Sequence, residues 1–203
     1  MYLRPAFTET DPERIAGLIR ANPFGLLVTA GARGIEATHI PFALAGPAGG
    51  FRLVGHLAAA NPQCDALDGG AALAVFSGPH AYVSPGWYAT QPAVPTWDYA
   101  AVHVRGRLEA IVEAAAAGAA AQALAGGDPN GFHIDHLPGD FRSRMVAGIR
   151  AFVLHPEQVE AQWKMSQNRS AADRAGVIEA LRAQGDPGAE AVAALIAETL
   201  PPA

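Results

Sequence analysis

The residues best suited to chemistry lie in the stretch WKMSQNRS, residues 163–170. Two cations and three hydrogen-bonding side chains share this stretch: Lys164, Ser166, Gln167, Asn168 and Arg169. A predicted helix follows at once, and the free N–H groups at a helix start favour anions. A point cation, a forked cation and several donors together are typical of a phosphate site. The alternative is a solvated loop that ends in an ordinary helix cap.

Two further stretches, VSPGWY and VPTWDYA, are rich in aromatic residues. Their aromatic side chains are Tyr82, Trp87, Tyr88, Trp97 and Tyr99. Aromatic surface beside a phosphate site indicates a planar, nucleotide-like ligand. The alternative is that these rings pack in the core or at a subunit interface.

Other common kinds of site are not indicated. The chain has no P-loop, no strand-linked GxGxxG and no GxSxG. Its single cysteine, Cys64, excludes an intrachain disulfide and zinc sites built on several thiolates. We predict no metal site. His39, His56 and His103 fall in predicted strands, where they either converge on one face or are half-buried and hydrogen-bonded separately.

Charge and composition limit the partners. The chain has 203 residues and a formal net charge of −5, and its lysines and arginines are scattered. Nucleic-acid surfaces are usually basic, so the charge gives little support for direct DNA binding. The N-terminal residues have no apolar signal core, and no segment is long and apolar enough to span a bilayer. We therefore predict a cytoplasmic protein without a membrane partner.

The order of elements favours an α+β fold with a mostly antiparallel sheet or barrel. A helix capped by Thr10 or Asp11 comes first and ends at Asn22. Short strands joined by tight turns follow. The sequence then predicts helices over residues 113–125 and from Asp140, a strand return, and a helix capped by Ser170. A last helix begins at residues 186–187.

Six ordered stretches carry a family resemblance. Residues 1–29 and the segments EATHIPFAL, GHLAAANPQ, VFSGPHAYVSPGWY, VPTWDYAAVHVRGRL and WKMSQNRSAADRAGVIEAL resemble the FMN-binding negative transcriptional regulators of the PaiB type. The resemblance implies an α+β, mostly antiparallel split β-barrel of the FMN-binding type, with peripheral and C-terminal helices. It covers residues 1–181 as one domain, and residues 182–203 are expected to form a helical extension packed on it. Residues 113–131 match no motif of the family.

The resemblance also implies a cofactor and a set of contacts. Such proteins are typically homodimers with FMN between the subunits. The implied FMN-binding residues lie on two strands, the turn after the second, the aromatic stretches and the KMSQNR motif: Thr38, His39, Ile40, His56, Asn61, Gln63, Trp87, Trp97, Lys164, Ser166, Gln167, Asn168 and Arg169. Backbone groups of Thr38 and Ile40 are expected at the isoalloxazine edge, and Asn61 at the ribityl chain or phosphate. By charge, the phosphate is expected at Lys164 and Arg169.

Three functions follow from these interpretations. The first is an FMN-binding regulator whose effect on DNA is direct or indirect. The alternative is a flavin-dependent oxidoreductase that takes hydride from NAD(P)H, in which the cofactor carries the chemistry. His56 or Tyr99 would then be the proton donor. The third is a binder without catalysis, in which a histidine is an axial ligand of haem.

Overall fold

Seven strands and five α-helices make up the part of the chain that the computed structural model describes, residues 1–124 and 130–201. The strands are β1 (Phe24–Gly31), β2 (Gly34–Pro41), β3 (Ala43–Ala45), β4 (Arg52–Ala58), β5 (Asp68–Val83), β6 (Thr96–Ile111) and β7 (Ile149–Lys164). The helices are α1 (Pro12–Ala21), α2 (Ala114–Leu124), α3 (Gly139–Ala147), α4 (Ala171–Ala183) and α5 (Pro187–Ala197).

The strands form one sheet in the order β2-β1-β5-β6-β7-β4-β3. Strand β1 pairs antiparallel with β2 and β5, and β4 pairs antiparallel with β3 and β7. Gly55 of β4 brings the end strand β2 close, because a Cβ at Gly55 would lie 3.3 Å from Cδ1 of Ile40. The sheet therefore curls until β2 meets β4 without pairing into a closed barrel. The predicted α+β class with a mostly antiparallel sheet is confirmed.

Chain contacts group the residues into two units. Unit 1 comprises Met1–Asp11, Ser77–Val102 and the described part of Glu160–Ala203. Unit 2 comprises Pro12–Phe76 and the described part of His103–Val159. Each of the three long strands contributes residues to both units. The division into a domain over residues 1–181 and an extension over residues 182–203 stays a prediction.

Each unit has its own apolar core. In unit 2 the ring of Phe42 packs edge-on against Phe76 and Phe152, with ring centroids 5.3 and 6.3 Å away. In unit 1 helices α4 and α5 pack on each other, with Val177 and Ile196 fully buried. Burying such side chains stabilises each unit by about 1.5–3 kcal/mol per residue.

Local sequence explains most element boundaries. Helix α1 begins at Pro12, whose missing N–H costs nothing in a first turn, and buries Ile15, Leu18 and Ile19 on one face. Ser170 caps α4 and Asp186 caps α5, each accepting a backbone N–H three residues on. The predicted helix end at Ala125 lies outside the described residues. None of the described helices is long and apolar enough to cross a membrane.

Candidate functional site

The KMSQNR motif forms a tight loop between β7 and α4, all within unit 1. Ser166 is buried and has a φ of 55°, which places a non-glycine residue in the left-handed region. This conformation costs about 1–2 kcal/mol and persists only where surrounding contacts impose it. The backbone N–H of Arg169 donates to the carbonyl of Ser166 at 2.9 Å, which closes the turn.

Asp98 of β6 binds this loop through its side chain. Its carboxylate is 0 % exposed and accepts a hydrogen bond from Ser166 Oγ at 2.6 Å. Lys164 Nζ lies 3.3 Å from the other side-chain oxygen of Asp98. Burial raises the pKa of Asp98, and the hydrogen bond from Ser166 and the charge of Lys164 oppose that rise. The buried carboxylate explains why Ser166 can hold a strained backbone.

Lys164 uses its ammonium group inside the protein. Besides Asp98, its Nζ donates to Thr96 Oγ1 at 2.5 Å and to the carbonyl of Trp97. An ammonium has three donors, and these three acceptors account for all of them. Lys164 therefore ties the end of β7 to the start of β6.

Gln167 is turned back on the strand that precedes it. Its Nε2 donates to the carbonyl of Trp163 at 2.5 Å, and its Oε1 accepts the backbone N–H of Met165 at 2.7 Å. Both ends of the amide are thereby used to hold the loop. Gln167 shapes the motif through the backbone.

Arg169 and Asn168 keep their polar groups available. The guanidinium carbon of Arg169 lies 4.3 Å from the ring centroid of Tyr88, in a cation–π contact. Within the described ranges, no carboxylate forms an ion pair with Arg169, and the side chain of Asn168 is exposed without a hydrogen bond to the protein. Among the polar residues of the motif, these two side chains leave polar groups open to a ligand.

Aromatic side chains form an exposed face in the same unit. Trp97 is 55 % exposed and Tyr82 is 46 % exposed. The ring of Tyr82 lies 6.1 Å from Trp97 and 6.4 Å from Trp87, edge-on in both cases. We call Tyr82, Trp87 and Trp97 the aromatic face. Rings that remain this exposed offer stacking surface for a planar ligand or a partner.

Helix α4 locks the turn that carries Trp87 and Tyr88. A Cβ at Gly176 would lie 2.3 Å from the carbonyl oxygen of Trp87, so helix and turn touch backbone to backbone. Asp173 of α4 accepts the backbone N–H of Thr90 at 2.8 Å. Burial raises the pKa of Asp173, but hydrogen bonds from Thr90 and Ser170 and the charge of Arg169 outweigh it, so the net pKa is lowered.

A second group of predicted residues lies in unit 2, around the turn after β4. Asn61 Nδ2 donates to Thr38 Oγ1 at 3.1 Å, and its Oδ1 caps the 3₁₀ turn Pro62–Ala66. Gln63 is 1 % exposed, and its Nε2 donates to the carbonyls of Leu27 and Glu36 at 3.2 and 3.4 Å. Gln63 therefore supports the turn from inside, and Thr38 and Asn61 present its outer surface.

The remaining unit 2 candidates point in different directions. His39 is exposed and stacks on Phe24 with ring centroids 5.9 Å apart. The side chain of Ile40 is buried against β4. His56 pairs with Ala151 across the strands, on the face that packs with α2, and burial lowers its pKa.

The hypothesis that His39, His56 and His103 converge from neighbouring strands is wrong. They lie on β2, β4 and β6, and β6 is separated from β4 by β7 and from β2 by β1 and β5. Among the described residues, no group of three or more His, Cys, Asp or Glu side chains is placed to hold a metal ion.

The sequence reasoning missed Asp98, Thr96 and Tyr88 as parts of the loop's architecture. Asp98 carried a signal, because a lone acid inside an otherwise apolar strand needs a partner when buried. Thr96 carried none, and Tyr88 was indicated only as one of the aromatic side chains, because their contacts with the loop depend on how β6 and the turn before it meet the loop.

The donor set fits FMN. A phosphate monoester needs a cation with several donors, which Arg169 and Asn168 supply, and an isoalloxazine needs aromatic surface to pack on, which the exposed rings of Tyr82 and Trp97 offer. Both lie in unit 1.

Comparison with known structures identifies the fold. The flavocytochrome Anf3 from Azotobacter vinelandii matches 80% of this chain and 72% of its own with a TM-score of 0.65 at 15% identity. The FAD and heme binding protein from Mycobacterium smegmatis matches 77% of this chain and 73% of its own with a TM-score of 0.56 at 19% identity. At such identities the likeness concerns the fold, which is the flavin-binding split barrel.

Sequence comparison identifies the family. Residues 1–158 match the family model described as "Putative FMN-binding domain". Protease synthase and sporulation protein PAI 2 of Bacillus subtilis is 32% identical over 98% of this chain and 98% of its own. An uncharacterized protein of Aspergillus fumigatus is 29% identical over 91% of this chain and 92% of its own. The chain therefore belongs to the FMN-binding family that the PaiB-type motifs indicate.

Proposed function

We propose that this protein binds FMN with the loop of residues 164–170, and that Arg169 and Asn168 contact the phosphate. The observation that carries the proposal is the guanidinium of Arg169, which rests on Tyr88 and forms no ion pair with a carboxylate of the described residues, although its charge acts on nearby Asp173. A planar guanidinium presents a fork of donors that matches two phosphate oxygens. The contact with Tyr88 holds that fork in place before the ligand arrives.

The other polar residues of the motif act as positioning residues in this proposal. Lys164, Ser166 and Gln167 donate their hydrogen bonds to Asp98, to β6 or to the backbone next to the loop. They fix where Asn168 and Arg169 stand. This division of roles differs from the expectation that Lys164 and Arg169 share the phosphate.

The aromatic face is the proposed surface for the isoalloxazine. Trp97 and Tyr82 are the most exposed of its rings, and Trp87 packs edge-on beside Tyr82. When bound, FMN supplies two-electron redox chemistry. Thr38, Ile40 and Asn61 remain FMN contacts that the family resemblance implies, and Thr38→Ala and Asn61→Ala measure the contribution of two of them separately.

We also propose a cytoplasmic homodimer that acts as a regulator through its flavin. The relative from Bacillus subtilis carries the name protease synthase and sporulation protein, and this name supports the proposed regulatory role. The net charge of −5 favours an indirect effect over tight contact with DNA. Salt-sensitive binding to promoter DNA would contradict the indirect route, and light scattering of the purified protein measures the number of subunits.

The experiment is a titration of FMN into the protein, followed by quenching of flavin fluorescence. Arg169→Ala should weaken binding roughly 10- to 100-fold, because a hydrogen-bonded charge contributes about 1.5–3 kcal/mol. Arg169→Lys keeps the charge, loses the fork and should fall between wild type and Arg169→Ala.

The matched control is Arg182→Ala. Arg182 lies near the end of α4, the helix that follows the motif, and its exposed side chain pairs with Glu190. This variant should bind FMN as the wild type does. Equal FMN affinity in Arg169→Ala and Arg182→Ala would remove the phosphate role from Arg169.

A further inference from the structure

A cavity of about 900 Å³ opens in unit 2, away from the residues discussed above. Its walls are helix α2, helix α3, the end of β6 and the start of β7. A volume of this size matches the clefts that hold small organic molecules. None of its lining residues belongs to the KMSQNR loop or to the aromatic face.

The floor of the cavity is apolar and densely packed beneath. Ala117 of α2 and Ala151 of β7 are buried together, and Ile111 and Val146 pack against them. The alanines of α2 that line the cavity leave space open, because their methyl groups fill little of the volume between helix and strand. The floor therefore suits a hydrocarbon or aromatic body.

The rim of the cavity carries positive charge. Arg150 donates from Nη1 to the carbonyls of Ala147 and Ile149 at 3.4 and 3.0 Å, and no carboxylate of the described residues pairs with it. Arg142 pairs with Asp135 at 2.7 Å. The described lining residues include two arginines and one carboxylate, in a chain whose net charge is −5.

We infer that this cavity is a second small-molecule site, for an apolar monoanion such as a carboxylate or sulfonate on an aromatic or aliphatic body. The apolar body fits the alanine floor, and the acid group fits the uncompensated guanidinium of Arg150. His133 and Asp135 at the rim hold each other and Arg142, which leaves Arg150 as the anion's partner. This site is independent of the FMN proposal, because none of its residues belongs to the KMSQNR loop or the aromatic face.

The probe for the test is 8-anilinonaphthalene-1-sulfonate, an aromatic monoanion whose fluorescence rises in apolar surroundings. The wild-type protein, with and without FMN, should bind it saturably with one high-affinity site. Arg150→Gln should weaken binding roughly tenfold, because it removes one charge-assisted hydrogen-bonded contact. Dodecanoate should displace the probe.

Two filling variants and one control decide the location. Ala115→Trp fills the cavity from α2 and Ser143→Trp fills it from α3, and both residues are exposed, so the core is not disturbed. Both variants should lose the site, whereas Ala116→Trp, exposed on the same helix outside the lining, should keep it. Circular dichroism selects the folded variants. No saturable binding in the wild type, or equal binding in the folded filled variants and Ala116→Trp, would overturn the inference.

Discussion

At the scale of single residues, the two cations of the KMSQNR motif have different surroundings. Lys164 is enclosed by Thr96, the carbonyl of Trp97 and Asp98, whereas Arg169 rests on an aromatic ring with its donors available. On the basis of charge alone, we expected both Lys164 and Arg169 to bind the phosphate. The structure separates a cation that holds two strands together from one that can meet a ligand.

Asp98 should make stability depend on pH in an unusual direction. Burial raises its pKa above the ordinary 3.8, so the folded protein keeps this proton to higher pH than the unfolded chain does. Between 3.8 and the folded pKa, the folded state binds more protons, and stability falls as pH rises. Asp98→Asn should lack that fall, as measured by urea unfolding across the acid range.

The control for this measurement is the FMN affinity of the same variant. The asparagine side chain introduced by Asp98→Asn can still accept from Ser166, so the loop keeps one of its anchors while Lys164 loses its counter-charge. A wild type and an Asp98→Asn variant with parallel stability curves over this pH range would show that the buried carboxylate titrates as it does in water.

Asp173 should change the pH dependence of stability in the opposite direction to Asp98. Its pKa is lowered in the folded state, so its stabilising contribution is present above the ordinary value of 3.8 and is lost as pH falls through the folded pKa. Asp173→Asn should therefore flatten the acid limb of the unfolding curve. An unchanged acid limb in this variant would show that the contacts with Thr90 and Ser170 do not favour the carboxylate.

At the scale of elements, contact between α4 and the turn that carries Trp87 sets the position of the aromatic face. Gly176 is the point of closest approach, because a Cβ there would meet the carbonyl oxygen of Trp87. Gly→Ala in a helix interior normally stabilises by about 0.5–1 kcal/mol. Gly176→Ala should instead destabilise by roughly 1–3 kcal/mol, the usual cost of overpacking.

Gly17 of α1 is the matched control for that substitution. It is also a helical glycine, but a Cβ there would meet no atom within 4 Å. In thermal unfolding, Gly17→Ala should be more stable than the wild type, whereas Gly176→Ala should be less stable and should also bind FMN more weakly. Higher stability in both variants would mean that α4 and the turn are not in backbone contact.

Much of the element pattern could be predicted from the sequence, because it depends on local signals. The caps at Ser170 and Asp186, the proline start of α1 and the apolar stripe of that helix are all local. The length of β5 was harder to predict. Gly78 and Pro79 are residues that usually end a strand, and only pairing with the neighbouring strands extends β5 through them to 16 residues.

The candidate site was predictable in composition but not in roles. The residue types of the motif indicated Lys164, Gln167 and Arg169 as site residues. The partners of these side chains, however, lie on β6, on β7 and in the turn before Thr90. Most of these partners are distant in sequence, and periodicity says nothing about them. The same holds for His56, whose surroundings depend on a helix that joins the sheet much later in the chain.

At the scale of the whole molecule, the family match covers residues 1–158 and identifies an FMN-binding domain, and the solved structures share its fold. A ligand that binds only the folded state stabilises it in proportion to the logarithm of its concentration relative to its dissociation constant. FMN at about 100 times its dissociation constant should add about 2.7 kcal/mol to the free energy of unfolding, as measured by urea unfolding with and without FMN.

Equilibrium dialysis of the purified protein against FMN is the decisive measurement. We expect saturable binding of one FMN per chain to the wild type and strongly reduced binding to Arg169→Ala. Absence of saturable binding to the folded wild type would contradict it, and WKMSQNRS would then be a loop stabilised by Asp98 that serves only to begin a helix.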